Sequence, residues 1–300
     1  MKVIHEFIDR PGMEEKETPA EEANNQPVAK THELSHNLSE EVRSPEIHRL
    51  PTSRVPYLYR GRRFDIRRSE AYLMVETGRF RAISIDDLSR FAYSQNRDRA
   101  AKDVLNLEKQ GLVKRYTALY PDSFTVVTLT RTGEKLLRRT NWVGPDQEIY
   151  SGVKKPKELR HDAALYRAYQ AKAQEISAQG GRIKRIILDY ELKRKLYRDL
   201  SKVNANTPEE LQQLRKKVAE QHAVPVIEGE FVIPDVRLEY EDRDGNTSRV
   251  DLEYVTSSYR HQELMGKARA GFSLYSPHDQ AARFHKILDD HQIMAEIFSI

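Results

Sequence analysis

The sequence predicts an α+β protein: a basic, mainly helical segment with a β-hairpin, followed by an α/β domain with a mixed sheet. Three observations lead to this expectation. A length of 300 residues favours two domains. Residues 58–140 hold 18 Lys and Arg against 10 Asp and Glu, a net of +8. After residue 157, strand-prone runs alternate with helical periodicity.

Composition excludes several protein classes. No run of about 18 apolar residues occurs, so no membrane-spanning segment is expected. Cysteine is absent, which excludes disulfide frameworks, thiolate zinc sites and cysteine nucleophiles. The HExxH, GxGxxG, GKS/GKT and GxSxG motifs are also missing. We expect a cytoplasmic protein.

Residues 1–57 are predicted to form a disordered acidic tail. They contain 7 Lys and Arg against 11 Asp and Glu, few aromatic residues and no sustained apolar period. Such a segment buries too little apolar surface to offset the entropy of the chain. We expect short pieces of this tail to order only on a protein partner.

The first half of the basic segment 58–140 predicts two capped helices. Ser69 is expected to cap a helix through about Thr77, and Ser84 to cap the next one. Asp86 and Asp87 would lie in the first turn of that second helix, where the helix dipole favours acids.

A turn at residues 94–96 leads into a third predicted helix, which Gly111 ends. Its core-facing side chains are predicted to be those of Ala101, Val104, Leu105 and Leu107. Two β-prone runs follow, joined by a turn at residues 121–123, and a last helix begins at Arg131.

This order of elements is that of a winged helix-turn-helix, and residues 107–137 resemble bacterial winged-helix regulators. Together with the local charge it predicts binding to double-stranded DNA. Arg and Asn can read base edges, and Lys suits a phosphate. The candidate groove-facing residues are Gln95, Asn96, Arg97, Arg99 and Lys102, and the wing candidates are Lys114, Arg115 and Arg131.

Two alternatives to this interpretation stay open. A winged helix can serve protein contacts alone. Regulators of this type are often dimers, so a dimer is compatible with the sequence, which does not fix the oligomeric state.

Residues 141–157 contain two glycines and two prolines and are predicted to be a linker. Beyond it, residues 158–300 are predicted to form the α/β domain. Thr207 caps one of its helices with Pro208 at the first position. The predicted elements are a helix to Gly180, a strand at 182–192, the helix after Thr207, strands on both sides of the turn at 244–246, helices at 259–275 and 278–292, and a strand at 294–300.

Carboxylates cluster at the predicted hairpin of this domain. Asp235 lies near the start of one strand, and Asp251 and Glu253 lie in the adjacent one. Asp251 and Glu253 are two residues apart, so their side chains face the same side. Oxygen ligands of this kind suit Mg²⁺ or Mn²⁺, and a metal-bound water can attack a phosphodiester.

The motif Pro234-Asp235, a hairpin, an acid-x-acid strand and a helix resembles the PD-(D/E)xK core of restriction-endonuclease-like domains. The order across residues 65–276 is also similar to the bacterial replication-relaxation family, with His161 in the first helix and Lys267 and Tyr275 near the end. This resemblance implies a role in plasmid replication or transfer. It also implies that Asp235 and Glu253 bind the metal, that Asp251 assists, and that Lys267 positions or activates water.

The sequence departs from the nuclease pattern, because Val255 occupies the usual lysine position. Lys267 could supply that role. Alternatively, Asp251 and Glu253 form the acid pair and Glu253 replaces the lysine. Glu158 or Asp162 could add a further acid. Asp251 and Glu253 could instead form a solvated face opposite Arg237. Three hypotheses follow: a non-catalytic DNA-binding protein of a mobile element, which we favour, a Mg²⁺-dependent endonuclease, or a protein-assembly adaptor.

Overall fold

A computed structural model describes residues 52–118, 123–140, 142–153, 155–202, 205 and 207–300, all within one compact unit. Residues 1–51 of the predicted acidic tail and the predicted wing turn at 121–122 lie outside the described residues. Residues 54–57, predicted as tail, instead begin strand β1 (Arg54–Tyr59), which pairs antiparallel with β2 (Arg62–Arg67). The two-residue turn suits this hairpin because Arg60 and Gly61 both have positive φ.

Helix α1 spans Arg68–Phe80, and its start differs from the prediction. The carboxylate of Glu70 accepts the backbone N–H of Arg67 at 2.8 Å. The prediction that Ser69 caps the helix is wrong, because its hydroxyl lies inside the helix and donates to Asp103 at 2.6 Å.

The short strand β3 (Ile83–Ser84) leads into helix α2 (Ile85–Asp87), which continues as a π-helical turn, Leu88–Ala92. The predicted cap is confirmed, since Ser84 Oγ accepts the N–H of Asp87 at 2.9 Å. Helix α3 spans Arg97–Lys109 and ends before Gly111, whose φ is +74° as a C-terminal stop requires.

The buried face of α3 is rotated from the predicted one. Its buried residues are Ala100, Asp103, Val104 and Leu107. Ala101 and Leu105 are exposed, so their prediction as core residues is wrong. Because Asp103 is polar but buried, the spacing of apolar residues alone does not show which face of α3 is buried.

Strands β4 (Val113–Ala118) and β5 (Phe124–Leu129) form an antiparallel hairpin, and β3 pairs with β5. Helix α4 (Arg131–Arg139) follows, capped by Thr130, whose hydroxyl accepts the N–H of Gly133 at 3.1 Å. The predicted helices and the predicted hairpin of this part occur in the predicted order, with the unpredicted strands β1, β2 and β3 in addition.

The segment predicted as a linker packs against the structure on both sides. Trp142, Gln147 and Ile149 are buried. The side-chain amide of Gln147 exchanges two hydrogen bonds with the backbone of Ile186, at 2.8 and 2.9 Å. The segment is thus fastened to the sheet that follows it.

The C-terminal part combines a five-stranded mixed sheet with helices. Along the sheet the strands run in the order β12, β11, β10, β9, β6; the pairs made by β9 are antiparallel, and those made by β11 are parallel. Among the described residues the elements are α5 (Leu159–Ala178) after a 3-10 turn (Pro156–Glu158), β6 (Arg182–Leu188), α6 (Asp189–Leu200), α7 (Pro208–Gln221), β7 (Val226–Ile227), β8 (Glu230–Phe231), β9 (Val236–Glu241), β10 (Thr247–Tyr254), α8 (His261–Arg269), β11 (Ser273–Ser276), α9 (Ala281–Asp290) and β12 (Ile297–Ser299).

Two predicted boundaries in this part are wrong. The strand predicted at 182–192 ends at Leu188, where Asp189 and Glu191 begin helix α6 in the first turn, a favourable place for acids. The helix predicted at 259–275 ends at Arg269, because residues 273–276 pair with β10 and β12. The Thr207 cap is confirmed, at 3.2 Å to the N–H of Glu210.

One hydrophobic cluster runs through both parts of the chain. The Phe80 ring of α1 lies 5.2 Å from the Tyr166 ring of α5, in an edge-on contact. Tyr166 also receives an edge contact from Phe91 at 6.0 Å. None of the helices in the described ranges is long and apolar enough to cross a membrane.

Candidate functional site

The predicted groove-facing residues lie at the N-terminal end of α3 and are mostly exposed. Gln95, Asn96, Arg97 and Lys102 are exposed, and Arg99 is half-buried. The side-chain oxygen of Asn96 is already engaged, because it caps α3 by accepting the N–H of Arg99 at 3.0 Å. Arg97 bridges to Asp86 at 2.6 Å in a solvent-exposed pair.

The predicted wing residues lie at the opposite end of α3. Arg115 pairs with Glu108 in the last turn of α3 at 2.6 Å, and its hydrogen bond lowers the pKa of that carboxyl. The Lys114 ammonium lies 4.8 Å from the Tyr116 ring, and Arg131 is exposed. The two predicted groups are therefore separated along α3 by about 16 Å, from Arg97 to Glu108 at 1.5 Å per residue.

An exposed stripe connects these two ends of α3. Positions three or four apart fall on one helix face. The stripe consists of Asp98, Ala101, Lys102, Leu105 and Lys109.

The β1–β2 hairpin adds a basic surface that the sequence prediction missed. The side chain of Gln110, just after α3, binds the backbone N–H and C=O of Asp65 at 2.8 and 3.0 Å. This places the hairpin beside the C-terminal end of α3. Two β-prone runs around a glycine turn could have predicted it. Its exposed cations are Arg54, Arg60, Arg62 and Arg63.

In the C-terminal part, the structure brings Asp235, Glu253 and Lys267 together. Glu253 Oε2 accepts the backbone N–H of Asp235 at 3.0 Å, and Asp235 Oδ2 accepts the N–H of Tyr254 at 2.9 Å. From α8, Lys267 Nζ lies 2.7 Å from Glu253 Oε1 and donates to the carbonyl of Ile233 at 2.6 Å.

Tyr259 completes this cluster and was not predicted to take part in it. Its hydroxyl donates to Glu253 Oε1 at 2.5 Å. The sequence placed Tyr259 inside a helix, whereas it precedes α8 and turns toward the sheet. Burial raises the pKa of Glu253 to about 7; the charge of Asp235 adds to the rise, and Lys267 opposes it.

Asp251 lies outside the cluster, in a different ion pair. Both of its oxygens accept from the Arg237 guanidinium, at 2.7 and 2.8 Å. Two further N–H groups of Arg237 donate to the carbonyls of His222 and Ala223. Arg237 is only 3% exposed, so this pair is buried rather than part of a solvated face. Asp251 is thereby fixed by its cross-strand partner.

His161, on α5, contacts the cluster through Asp235. Its Nε2 lies 3.2 Å from Asp235 Oδ2, and its ring makes an edge contact with Tyr254 at 5.7 Å. Burial lowers the pKa of His161, but the hydrogen bond and charge of Asp235 outweigh burial and leave the pKa raised. Burial raises the pKa of the neighbouring Asp162 to about 6 against the opposing charges of Arg81 and His161.

A cleft of about 1030 Å³ opens beside Asp235 and His161. Arg81 joins two of its walls, lying 3.2 Å from Asp189 and 3.8 Å from Asp162. The cleft is lined by Arg81, Phe124, Lys155, Lys157, Glu158, Arg160, His161, Asp162, Leu165, Arg167, Asp189, Tyr190, Lys193, Arg194, Tyr197, Asp235, Tyr254, Thr256 and Ser258.

The residues of this cluster do not fit the divalent metal that the nuclease resemblance implies. Glu253 is 1% exposed, and each of its oxygens already accepts from a protein donor. Lys267 further supplies a positive charge at the place where a cation would bind. Within the described ranges, no three His, Asp or Glu side chains are arranged to hold a metal ion.

Comparisons with known proteins show no family for this chain. No family model and no curated protein matches it. A solved structure of Bacillus subtilis PadR in complex with operator DNA is similar over 52% of this chain and 91% of that chain, with 17% identity and a TM-score of 0.19. A similarity at this TM-score carries no weight for fold or function.

Proposed function

We propose that this chain binds double-stranded DNA, with residues 58–140 acting as a winged helix-turn-helix and α3 as the helix that enters the groove. The observation that carries the proposal is the solvent-exposed face of α3. Lys102 and Lys109 lie on this face, and Arg97 is exposed beside it at the N-terminal end of the helix. A helix that presents cations to solvent over its length suits the major groove of duplex DNA.

The flanking hairpins support the same surface. Lys114 and Arg115 of β4 and the exposed arginines of the β1–β2 hairpin lie near the C-terminal end of α3. Cations beside a groove-binding helix can contact the phosphates of the duplex. In this proposal the α/β part is a non-catalytic scaffold. A role in replication or transfer of a mobile element rests on the order of short motifs in the sequence.

The salt dependence of binding tests this proposal. Each neutralised phosphate contributes about 0.9 to the slope of log affinity against log salt. We expect Lys102→Ala to weaken binding of a labelled duplex and to reduce that slope by about 1. Lys216→Ala, an exposed lysine on α7, is the matched control and should leave both unchanged. Affinity that does not vary with salt, or equal effects of both variants, would contradict the proposal.

The convergence of Asp235, Glu253 and Lys267 favours phosphodiester cleavage as a second candidate function. The arrangement supports it less well than DNA binding, because the oxygens of Glu253 are already used by Lys267, Tyr259 and a backbone N–H. We therefore place DNA binding first and propose no catalytic step.

A further inference from the structure

Helix α6 carries a stripe of two basic residues between two tyrosines along the cleft. Tyr190, Lys193, Arg194 and Tyr197 stand at positions i, i+3, i+4 and i+7, so they share one helix face. All four line the cleft beside Asp235. The duplex-binding proposal does not use this surface, which belongs to a different part of the chain from α3.

The two tyrosines are unusually exposed for large side chains. Tyr190 is 45% exposed and Tyr197 is 56% exposed. The Tyr197 ring is held by an edge contact with Phe231 at 6.2 Å, and the Arg81 guanidinium lies 6.0 Å from the centre of the Tyr190 ring. The rings are therefore positioned by protein contacts while a large part of each stays open to a ligand.

The charge of the cleft favours a polyanion. Of the described residues that line it, seven are Lys or Arg and four are Asp or Glu. Lys193 is held by Asp189 at 2.7 Å, and Arg194 pairs with Glu148, so both cations have fixed places between the tyrosines. A basic groove with aromatic side chains along it is the arrangement that binds single-stranded nucleic acid.

We propose that this cleft binds a single-stranded polynucleotide, with bases stacked on Tyr190 and Tyr197 and phosphates near Lys193 and Arg194. Seven residues of helix separate the two rings by about 10 Å along the axis. That distance equals about three steps of 3.4 Å along one strand. A duplex cannot use these rings in the same way, because the faces of its bases are already stacked.

Fluorescence anisotropy with a labelled oligo-dT of about 15 nucleotides tests binding to the cleft beside α6. We expect the full chain to bind it and Tyr190→Ala/Tyr197→Ala to bind at least 5-fold more weakly, since one lost base–aromatic stack weakens binding about 5- to 150-fold. Tyr190→Phe/Tyr197→Phe keeps both rings and should retain most of the affinity. Leu211→Ala, an exposed apolar residue on α7, is the matched control and should bind as the wild type does.

The outcomes separate this proposal from duplex binding. An oligo-U arm shows whether the preferred strand is DNA or RNA, and binding of either that depends on the tyrosines supports the proposal. If duplex binding fails while this dependence persists, the α3 proposal alone is wrong. Wild-type protein that binds neither oligonucleotide, an alanine variant with unchanged affinity, or phenylalanine variants as weak as alanine would overturn the stacking proposal.

Discussion

Asp251 and Glu253 lie two residues apart on β10, yet their partners give them different properties. Asp251 is neutralised by the buried guanidinium of Arg237, directly across the β9–β10 pair. Glu253 pairs with Lys267, and burial together with the nearby charge of Asp235 raises its pKa. The sequence predicted the approach of Asp235, Glu253 and Lys267. The sequence could not show that Asp251 lies outside this cluster. The ion pair of Asp251 with Arg237 depends on the strand register and on the loop carbonyls of His222 and Ala223, which hold the guanidinium.

Because the pKa of Glu253 is raised in the folded state, its contribution to folding stability decreases as the pH rises. The folded state holds its proton up to about pH 7, and the unfolded chain releases it near 4.5. Folding stability from this group is therefore fully present below about pH 4.5 and is lost as the pH rises through 7. Asp162, with a pKa of about 6, acts in the same direction.

We expect Glu253→Gln to reduce the fall in stability between pH 5 and 8, because glutamine stays neutral throughout. The measurement is the free energy of unfolding in urea at several pH values. Asp251→Asn is the comparison variant on the same strand and should retain the contribution of Glu253. Wild type and Glu253→Gln with the same pH slope would show that Glu253 does not titrate in this range.

At the scale of elements, two of the three predicted helix caps are confirmed, whereas the boundaries that depend on strand pairing were not predictable. Ser84 and Thr207 cap their helices as predicted, since a cap depends on residues within one turn. The end of β6 at Leu188 and the strand at residues 273–276 depend on partners distant in the sequence. A strand-prone run does not reveal where its partner stops.

In helix α3, one buried polar residue made the sequence-based prediction of the buried face wrong. Asp103 is fully buried and accepts from Ser69 at 2.6 Å, Tyr93 at 3.1 Å and Arg67 at 3.3 Å. These bonds tie α3 to α1 and to the turn after α2. A carboxylate is expected at the surface of a protein. The predicted buried face of α3 therefore included Leu105 instead of Asp103.

We expect Asp103→Ala to destabilise the fold by about 2–6 kcal/mol, since each of two buried hydroxyls left without an acceptor costs about 1–3 kcal/mol. The substitution leaves the Ser69 and Tyr93 hydroxyls and one Arg67 donor without their acceptor. Leu105→Lys, on the exposed face, should change stability by at most about 0.5 kcal/mol. Urea unfolding of both variants measures this contrast, and the reverse order would show that the helix faces the core with Leu105.

At the scale of the whole molecule, the two predicted parts share buried surface. Phe80 and Tyr166 meet across them, and Gln147 of the intervening segment binds the backbone of β6. Glycine and proline in residues 141–157 indicated only that regular structure ends there. They could not show that Trp142 and Ile149 are buried, because that depends on surfaces formed by other segments.

The fixed arrangement of the cluster leads to an expectation about cleavage by the full chain. A metal-assisted attack on a phosphodiester needs carboxylate oxygens free to bind the cation. Glu253 has both oxygens engaged, one by Lys267 and Tyr259 and the other by the N–H of Asp235. Opening this site would break several hydrogen bonds to a buried charge.

We therefore expect supercoiled plasmid to remain intact with Mg²⁺ or Mn²⁺, while a gel shift in the same tubes shows that DNA is bound. Asp235→Ala/Glu253→Ala should behave as the wild type in both readouts. Nicking by the wild type that the double substitution abolishes would instead establish an endonuclease, and it would require Glu253 to exchange its present partners for the metal.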